Sequence, residues 1–561
     1  MLEPLRAVIA SPEAMLFLTI VLGVLFGRQK LGGFAFGSAA GTLLAGTLLG
    51  ALFGAAVPDL SPTLKSVAFL FFVFAVGFQS GPQFFASLGR KTLPLAIVTL
   101  VVAAAGLAST ILVVRLFGLD QGTAIGLAAG ALTQTAMLGT AYGALEGLGL
   151  SPAALARIQG QAAVVFALSY VFGTIGVILF CTQIAPRLIG VDLETAARAL
   201  DAGTAEAAAP QGQLLDFRTL VARAFRVGPA DAMTVKDLDA ALGPLAAVAR
   251  IRRGNAELGP AAELVLRRGD IIAIQGYRPA MVAAAARIGA EVAADELVTD
   301  LLGPGTDVVI APRFAGQTLH EAVQELGAAG HGLFLRRIRR QAHDIPATAA
   351  TVLMPGDVLT LTGPAERLAE ALPLVGTAID PGNRADIAFL AAGLLAGVLI
   401  GLVSLTLRNI PITLSAGGGA LIAGLVFGWW HARRPADAHV PPDATQIMWD
   451  FGLASFCALV GLTAGPQAAP ALAAAGPTIL VAGIIVTLLP QLVGLYVGHS
   501  LLHIHPVLLV GALAGAQTQD AAMLAACDLA ESPAPTLGFT VPYAIGNIVL
   551  TVLGPAVVAF T

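Results

Sequence analysis

The charged residues of this sequence are unevenly distributed, and their distribution limits the folds that the chain can adopt. About two-thirds of them fall within residues 187–386, whereas residues 1–186 and 387–561 carry very few. Charged residues make up 12% of the whole chain, against roughly 25% in soluble proteins. The common explanation for long segments without charge is that lipid is their solvent. The sequence therefore predicts two membrane regions that flank a water-soluble block.

Each membrane region contains six apolar segments. A membrane-spanning helix needs about 20 apolar residues, so neighbouring residues are expected to extend the shorter segments. The first segment is interpreted as a span rather than a signal peptide, because Arg28 and Lys30 follow it without a small-residue cleavage site. The segments are 14–27, 37–54, 66–78, 92–116, 122–145 and 160–186, then 387–406, 412–430, 447–463, 475–498, 506–527 and 540–560.

The two membrane regions repeat the same motifs in the same order. Gly-Phe-Gln-Ser-Gly-Pro-Gln in the first region has the counterpart Gly-Leu-Thr-Ala-Gly-Pro-Gln in the second. Gly-Ala-Leu-Thr-Gln-Thr likewise has the counterpart Gly-Ala-Gln-Thr-Gln-Asp. This agreement indicates an internal duplication. The matched pairs are 38–50 with 415–428, 77–83 with 461–467, and 130–138 with 515–524.

Lys and Arg in the short loops predict the orientation of the chain. We expect segment 122–145 to enter the membrane and return without crossing, which leaves an odd number of crossings and inverts the second region relative to the first. The soluble block is then cytoplasmic. Inverted repeats are typical of alternating-access secondary transporters. The cytoplasmic residues are Arg28, Lys30, Arg90, Lys91, Arg187, Arg384, Arg433 and Arg434, and the external ones are Lys65, Arg115, Arg157 and Arg408.

The soluble block contains a duplication of its own. An Ile-Arg-Arg motif followed by a Gly-Asp pair and a strand pattern occurs at 251–272 and again at 338–359. Each copy precedes an Ala-rich helical pattern, at 279–288 and 365–374. The duplication predicts two small α/β domains side by side. Residues 193–212, rich in Ala and Gly, are predicted to be a linker.

The motifs at 77–85 and 130–135, in a chain ordered as membrane half, two soluble units and membrane half, resemble the bacterial aspartate–alanine exchanger family. The soluble units resemble the TrkA C-terminal (RCK-C) domains that this family carries between its halves. The resemblance covers nearly the whole chain. It implies secondary transport of small carboxylates in the bacterial inner membrane, such as aspartate exchanged for alanine, or a dicarboxylate such as succinate. The RCK-C units predict a homodimer and a small-molecule regulator.

The predicted fold is an α-helical polytopic membrane protein, an inverted repeat of two halves. Each half has about five spans and one re-entrant or broken helix, and a cytoplasmic pair of small α/β domains of RCK-C type is inserted between the halves. The predicted boundaries are membrane half 1–190, linker 191–212, RCK-C-like domains 213–292 and 293–380, and membrane half 381–561.

The most informative segments for function are 126–143 and 511–528, because each is an apolar helix interrupted by hydroxyl and amide residues. A helix interrupted within the membrane is tolerated where it lines a cavity or binds a ligand. The free N–H groups of the resumed helix suit a carboxylate, and inverted repeats bring the two breaks together. The alternative is that these residues only join helices. The predicted substrate-binding residues are Thr133, Gln134, Thr135, Thr518 and Gln519.

Asp520 is an acid inside an apolar segment, at the position where the first half has Thr135. An ionisable residue within the membrane indicates function by default. Asp520 is predicted to bind the substrate, through its ammonium group, or a coupling H⁺ or Na⁺. The alternative is a cap for the resumed helix. In the exchanger family uncharged residues are more usual at this position.

Five weaker candidates lie outside the two breaks. Three of them belong to the Gly-x-x-x-Gly-Pro motifs, which are predicted to lie at helix ends because Pro82 and Pro466 stop or kink a helix. Their side chains reach the cavity or, alternatively, lie in tight helix packing. The other two are in the last helix of each half. The candidates are Gln79, Ser80, Thr463, Tyr170 and Asn547.

The sequence argues against several other functions. A net charge of −4 gives no reason to expect a nucleic-acid partner. We expect neither an enzyme nor a cofactor or metal, since the sequence offers no nucleophile–base pair, metal cluster or Gly-x-Gly-x-x-Gly fingerprint for one. The alternative function is an RCK-regulated ion channel or cation–proton antiporter, although a Thr-Val-Gly-Tyr-Gly filter is absent.

Two further clusters are open to interpretation. Four arginines of the second soluble unit either hold an anionic regulator or form a solvated or interface face. Three histidines of the second membrane half are interpreted as part of a solvated loop rather than a metal site. These residues are Arg336, Arg337, Arg339 and Arg340, and His499, His503 and His505.

Overall fold

The chain forms two compact units. The membrane unit comprises Met1–Arg198, Arg384–His431 and Asp437–Thr561, and the central unit comprises Ala199–Asn383 and Ala432–Ala436. The computed structural model describes residues 11–31, 34–35, 37–53, 61–87, 92–207, 220–243, 246–293, 295–298, 301, 305–340, 343–379, 385–407, 410–413, 415–434 and 438–561. Four residues used to predict the orientation lie outside this range, namely Arg90, Lys91, Arg384 and Arg408.

The first membrane half is almost entirely helical in its described part. Ser11, Asp120 and Ser151 each accept a backbone N–H of the first helical turn, which satisfies donors that a helix start leaves unpaired. The elements are α1 (Pro12–Gly27), β1 (Lys30–Leu31), β2 (Phe34–Ala35), α2 (Ser38–Phe53), α3 (Pro62–Ser87), α4 (Leu93–Phe117), α5 (Gln121–Ala131), α6 (Thr135–Glu146), α7 (Pro152–Leu179), a π-helical turn (Phe180–Ile184), α8 (Ala185–Ile189) and α9 (Leu193–Ala207).

Most of the predicted linker is helical, because α9 occupies Leu193–Ala207. Asp192 accepts the backbone N–H of Thr195 at 2.9 Å, and Arg198 pairs with Glu194 one turn away. Alanine, arginine and glutamate have high helix propensity, and a pair with this spacing stabilises a helix. The remaining residues of the predicted linker, 208–212, lie outside the described part of the chain.

Two antiparallel sheets with matching strand orders form the central unit. Its strands and helices are β3 (Leu220–Arg226), α10 (Val235–Leu242), β4 (Ala246–Arg253), β5 (Ala256–Leu258), β6 (Ile271–Tyr277), α11 (Arg278–Ile288), α12 (Asp295–Val298), β7 (Thr306–Ile310), α13 (Leu319–Leu326), β8 (Phe334–Arg340), β9 (His343–Ile345), β10 (Val358–Thr362), α14 (Ala365–Val375) and β11 (Gly376–Ala378). The first sheet has the order β3-β6-β4-β5, and the second repeats it as β7-β10-β8-β9 with β11 added at the β7 edge.

An ion pair between an arginine and a buried aspartate recurs at the same place in both sheets. Arg253 Nε donates to Asp270 at 3.0 Å, and Arg340 Nε donates to Asp357 at 2.7 Å. Each carboxylate also accepts a backbone N–H from the turn that precedes it. The Ile-Arg-Arg and Gly-Asp motifs therefore mark one structural unit used twice, as the duplication in the sequence predicts.

The arginine cluster of β8 is not a single open anion site. Arg340 is buried in its ion pair, Arg337 Nε donates to Thr360 Oγ1 at 3.1 Å, and Arg339 lies 3.4 Å from Asp307. The strand alternation that separates these side chains onto two faces could be read from the sequence, but their partners could not.

The second membrane half repeats the first element by element. Its elements are α15 (Ile387–Gly401), β12 (Ser404–Leu407), β13 (Ile410–Thr413), α16 (Ser415–Arg433), α17 (Pro442–Tyr496), a π-helical turn (Val497–Leu501), α18 (Pro506–Ala516), α19 (Asp520–Ala530) and α20 (Pro535–Phe560). Thus α15, the β12–β13 hairpin and α16 match α1, β1–β2 and α2. Helix α17 matches α3 and α4 together, and α18–α19–α20 match α5–α6–α7.

The prediction that helices end at the Gly-x-x-x-Gly-Pro motifs is wrong. Helix α3 continues through Pro82, and α17 continues through Pro466. Close packing holds the helices at these points, since Gly77 lies against the α16 backbone and Gly461 against the α2 backbone. A proline in such a helix removes one backbone hydrogen bond without ending the helix.

Six helical stretches in the described part of the chain are long and apolar enough to cross a membrane, judged by length and composition. Four shorter apolar helices, α1, α2, α15 and α18, accompany them. The six stretches are Pro62–Ala86, Leu93–Phe117, Pro152–Ile189, Pro442–Pro466, Pro477–Leu501 and Pro535–Phe560.

Helices α5 and α6 form a hairpin whose two ends lie beside the start of α7. Helix α5 runs parallel to α7, because Gly126 packs on Ala162 and Gly130 packs on Tyr170. The Tyr142 hydroxyl near the end of α6 donates to the Gln159 carbonyl at 2.7 Å. The chain therefore runs alongside α7 through α5, leaves the helix after Ala131 and turns back through α6. This path fits the prediction that segment 122–145 enters the membrane and returns without crossing it.

The second half contains the same hairpin. Helix α18 runs parallel to α20, because Gly511 packs on Pro535 and Gly515 packs on Tyr543. The Cys527 thiol near the end of α19 lies 3.5 Å from Thr536 Oγ1, at the start of α20.

Matching helices of the two halves run in opposite directions. Gln121 at the start of α5 donates to the Val558 carbonyl of α20 at 3.0 Å, whereas Gln134, just beyond the end of α5, donates to Asn547 Oδ1 of α20 at 3.2 Å. Helix α5 is therefore antiparallel to α20. Because α5 is parallel to α7, α7 and its counterpart α20 are antiparallel.

Candidate functional site

Each hairpin turns at a threonine with a left-handed backbone. Thr133 has φ 55° and Thr518 has φ 53°. This region is unfavourable for a β-branched residue, and such strain persists where the surrounding structure holds it. The glutamines that follow have almost the same conformation, with φ −112° at Gln134 and −110° at Gln519. The two breaks, at residues 132–134 and 517–519, thus share one backbone geometry.

The two breaks contact each other. The Thr133 hydroxyl donates to the backbone carbonyl of Gln517, and the Thr518 hydroxyl lies 3.4 Å from the backbone carbonyl of Thr133. Each threonine therefore satisfies a carbonyl that the opposite break leaves outside a helix. The sequence predicted this meeting from the inverted arrangement.

Each glutamine reaches across to the last helix of the other half. Gln134 Nε2 donates to Asn547 Oδ1 on α20 at 3.2 Å, and Gln519 Nε2 donates to Thr174 Oγ1 on α7 at 3.1 Å. All four side chains are buried. The site is therefore made of crossed pairs, each with one residue from either half.

Thr174 and Asn547 are equivalent because they end the same motif, Phe-x3-Tyr-x2-Gly followed by a polar residue. The motif occupies residues 166–174 and 539–547. In both copies the Phe and Tyr rings pack together, with centroids 5.4 Å apart in the first and 4.9 Å apart in the second. The predicted residue Tyr170 thus has an equivalent in Tyr543.

Charge distinguishes the two sides of the site. Thr135 is the first residue of α6, and Asp520 is the first residue of α19. Asp520 lies within electrostatic range of both Tyr170 and Tyr543. Gln519, rather than Asp520, holds the cap position of α19, and the Gln519 side chain makes no capping hydrogen bond there. An acid in the first turn still gains from the helix dipole.

Two buried polar atoms of the site make no hydrogen bond within the described chain. They are Asn547 Nδ2, a donor, and Gln517 Oε1, an acceptor. A buried polar group without a partner costs about 1–3 kcal/mol. A donor and an acceptor at one site suit a ligand that carries both kinds of group. No Lys or Arg is among the buried residues of the described membrane unit, so an anionic group bound here must rely on backbone N–H groups and neutral side chains.

Helix α17 supplies a second layer of polar contacts that the sequence did not predict. Thr487 Oγ1 donates to the Ala131 carbonyl at the end of α5 at 3.0 Å, and Gln491 Nε2 donates to the Leu513 carbonyl of α18 at 3.1 Å. Gln517 Nε2 in turn donates to the Thr487 carbonyl at 3.3 Å. Thr487 and Gln491 therefore position the breaks rather than line them.

The candidates from the Gly-x-x-x-Gly-Pro motifs do not join this constellation. Thr463 is exposed, and its hydroxyl bonds to carbonyls of its own helix. Gln79 Nε2 lies 3.4 Å from both Thr445 Oγ1 and Gln446 Oε1 on α17. Ser80 is buried between glycines that pack on α16. Helix packing accounts for the motif, which was the alternative interpretation.

The two hairpins and the helices beside them fall within the segments that match a known family. A family model described as Predicted Permease Membrane Region, for the aspartate–alanine exchanger type, matches residues 15–186 and 389–559. The chain belongs to the aspartate–alanine exchanger family. Residues 187–388, which contain most of the central unit, lie outside the match.

Relatives of this exchanger-family member are named as transporters. It is 42% identical to an uncharacterized transporter of Bradyrhizobium diazoefficiens over the whole of both chains. It is 38% identical to one of Bordetella parapertussis, covering 98% of this chain and 96% of the relative. An uncharacterized transporter of Francisella tularensis is 31% identical, covering 99% and 98%. No solved structure matches the chain. The protein is thus a multi-pass membrane protein of a transporter family.

Sequence reasoning missed Gln517, Thr174 and Tyr543 in this family member. For Thr174 and Tyr543 a signal existed in the sequence. The signal was the repeated Phe-x3-Tyr-x2-Gly motif, which becomes visible once Tyr170 is aligned with Tyr543. Lone threonines in apolar helices, by contrast, carry no local signature that separates a site residue from helix packing.

Proposed function

We propose that this protein is a secondary exchanger of small carboxylates that binds its substrate between the two breaks. The observation that carries the proposal is the crossed pair of contacts, Gln134 with Asn547 and Gln519 with Thr174. Two half-helix N-termini meet there without a buried Lys or Arg in the described membrane unit, and backbone N–H groups at such termini bind carboxylates.

The difference between Thr135 and Asp520 favours an amino acid over a plain dicarboxylate. The neutral N-terminus of α6 suits the substrate carboxylate, and the Asp520 carboxylate suits an ammonium group. The opposite directions of α7 and α20 support alternating access, in which the two halves rock around one site. We place the protein in the bacterial inner membrane with its central unit in the cytoplasm, as a homodimer.

Counterflow into proteoliposomes tests the proposal. Vesicles loaded with unlabelled aspartate, alanine or succinate should accumulate the same labelled compound from outside, and amino acids should exceed succinate. Uptake that does not depend on the internal substrate would exclude exchange. Uptake of succinate alone would exclude the role proposed for Asp520 while leaving exchange intact.

A further inference from the structure

The central unit contains a cavity of about 170 Å³ beneath α13. Its walls come from the apolar face of the second sheet and from the helices that cover it. The apolar residues that define it include Phe314, Leu326, Leu335, Leu353, Leu359 and Val375. Tyr277, His320 and His331 supply its polar atoms, and no Lys, Arg, Asp or Glu is among its lining residues.

The central unit consists of two subdomains, the first built on the sheet β3-β6-β4-β5 and the second on the sheet that contains β7-β10-β8-β9. The cavity lies in the second subdomain, at a position that a side chain fills in the first. Helices α10 and α13 are equivalent, since each begins after a capping threonine, Thr234 or Thr318, and ends at a glycine. Counted from the capping threonine, the fourth residue is Leu238 in α10 and Ala322 in α13. Leu238 is fully buried in the core of the first subdomain. The second subdomain therefore has the smaller side chain at a position where the same fold accommodates leucine.

We propose that this cavity binds a small, uncharged, ring-sized apolar molecule with one hydrogen-bonding group. An apolar cavity of roughly 150 Å³ admits benzene, and this one is slightly larger. A charged ligand would be buried without a counter-ion, because the described lining carries no fixed charge.

His331 provides the polar contact for such a ligand. Its Nε2 makes no hydrogen bond within the described chain and lies 3.7 Å from Asp239 Oδ2, beyond hydrogen-bond range. Arg367 already binds that aspartate. The Tyr277 hydroxyl is committed to the Leu335 carbonyl at 3.2 Å, and His320 Nε2 is committed to the Gln324 side chain at 2.9 Å. The His331 imidazole is therefore the available group.

Fluorine NMR of the full-length protein in detergent, with 4-fluorophenol as the probe, tests the proposal. Wild type should broaden the ligand signal beyond the micelle background. Ala322→Leu introduces the side chain that Leu238 has in the first subdomain. This variant should abolish the excess broadening and leave the midpoint of thermal unfolding unchanged. Excess broadening kept at the wild-type level in both Ala322→Leu and the larger Ala322→Phe would overturn the site.

Two further arms test the chemistry of the ligand. His331→Phe should weaken 4-fluorophenol binding about fivefold, the effect of one lost hydrogen bond, and should leave fluorobenzene binding unchanged. The matched anion 4-fluorobenzoate should not bind. Tighter binding of 4-fluorobenzoate than of 4-fluorophenol would refute the uncharged class, and displacement of the probe only by long-chain alkanes would identify a lipid tail instead.

Discussion

Thr174 and Asn547 hold equivalent positions in the two halves, and each accepts a hydrogen bond from the glutamine of the opposite half. The donors lie at 3.1 Å and 3.2 Å. Because the residues differ in type while the contact is the same, the position is used for hydrogen bonding rather than for shape alone.

Removing either glutamine should weaken substrate binding while leaving the protein folded. Gln134→Ala and Gln519→Ala each lose a neutral hydrogen bond in a buried site, which costs about 1–3 kcal/mol, or roughly 5- to 150-fold in affinity. Gln29→Ala is the matched control, since Gln29 is exposed and its side-chain hydrogen bond within the described chain is to the Leu25 carbonyl of the adjacent helix. Calorimetric titration with aspartate measures the change. Unaltered affinity in both variants would remove the glutamines from the site.

Asp520→Asn separates the roles open to the acid. If Asp520 binds the substrate ammonium, the variant should lose the exchange of amino acids and keep the exchange of succinate. If it couples an ion, exchange should continue but lose its dependence on pH or Na⁺. Proteoliposome exchange with each substrate, at several pH values and with or without Na⁺, distinguishes the two results. Wild-type selectivity and ion dependence in the variant would refute both roles.

The hairpin geometry predicts which residues share a side of the membrane. Cysteines placed at Arg115 and Leu148 should both react with an impermeant thiol reagent from outside. Arg115 precedes the α5–α6 hairpin and Leu148 follows it, and the hairpin returns to the side of the membrane from which it started. A cysteine at Arg187, beyond α7, should react only from inside. The variants belong in a background without Cys181, Cys457 and Cys527. Labelling of Leu148→Cys from the same side as Arg187→Cys would mean that the hairpin crosses.

The two copies of the arginine–aspartate pair should differ in their effect on stability. The Arg340–Asp357 side chains are 3% and 0% exposed, whereas the Arg253–Asp270 side chains are 26% and 4% exposed. Arg340→Met leaves a buried carboxylate unpaired and should cost about 3–5 kcal/mol. Arg253→Met should cost less, because water still reaches its pair. Thermal unfolding of the full-length variants gives the order, and the reverse order would contradict it.

The central unit should lose stability in mild acid. Burial lowers the pKa of His331, Asp239 opposes the shift, and Arg367 adds to it. The unfolded chain therefore takes up a proton more readily than the folded protein, so the stability of the folded state falls as pH drops below about 6.5. His331→Gln should flatten this dependence, and His320→Gln should not. Thermal midpoints measured between about pH 5.5 and pH 7.5 compare the variants.

Repetition made much of the site predictable from the sequence. Thr133 and Thr518 interrupt apolar helices in matching positions, and inversion of the halves then implies that the breaks meet. The partners of Gln134 and Gln519 were less accessible, since they depend on which helix of the other half lies alongside. Asn547 was predicted as an isolated polar residue in an apolar helix, whereas Thr174 was missed because threonine is common in membrane helices.

The errors arose where tertiary packing overrides a local signal. Pro82 normally disfavours a helix interior, but close packing of Gly77 and Gly81 on α16 holds α3 together beyond it. The helix within the predicted linker was not foreseen, because Ala- and Gly-rich composition does not separate a flexible segment from a helix when charges such as Glu194 and Arg198 lie one turn apart.

The crossed contacts also constrain how such a protein can have arisen. Gln134 and Thr174 lie in one half, but the hydrogen-bond partner of each lies in the other. A single half therefore lacks the complete set of these contacts. A chain of half this length could assemble one only by pairing with a second copy inserted upside down in the same bilayer. The geometry therefore points to an ancestor that entered the membrane in both orientations, with gene duplication and fusion later fixing one copy in each.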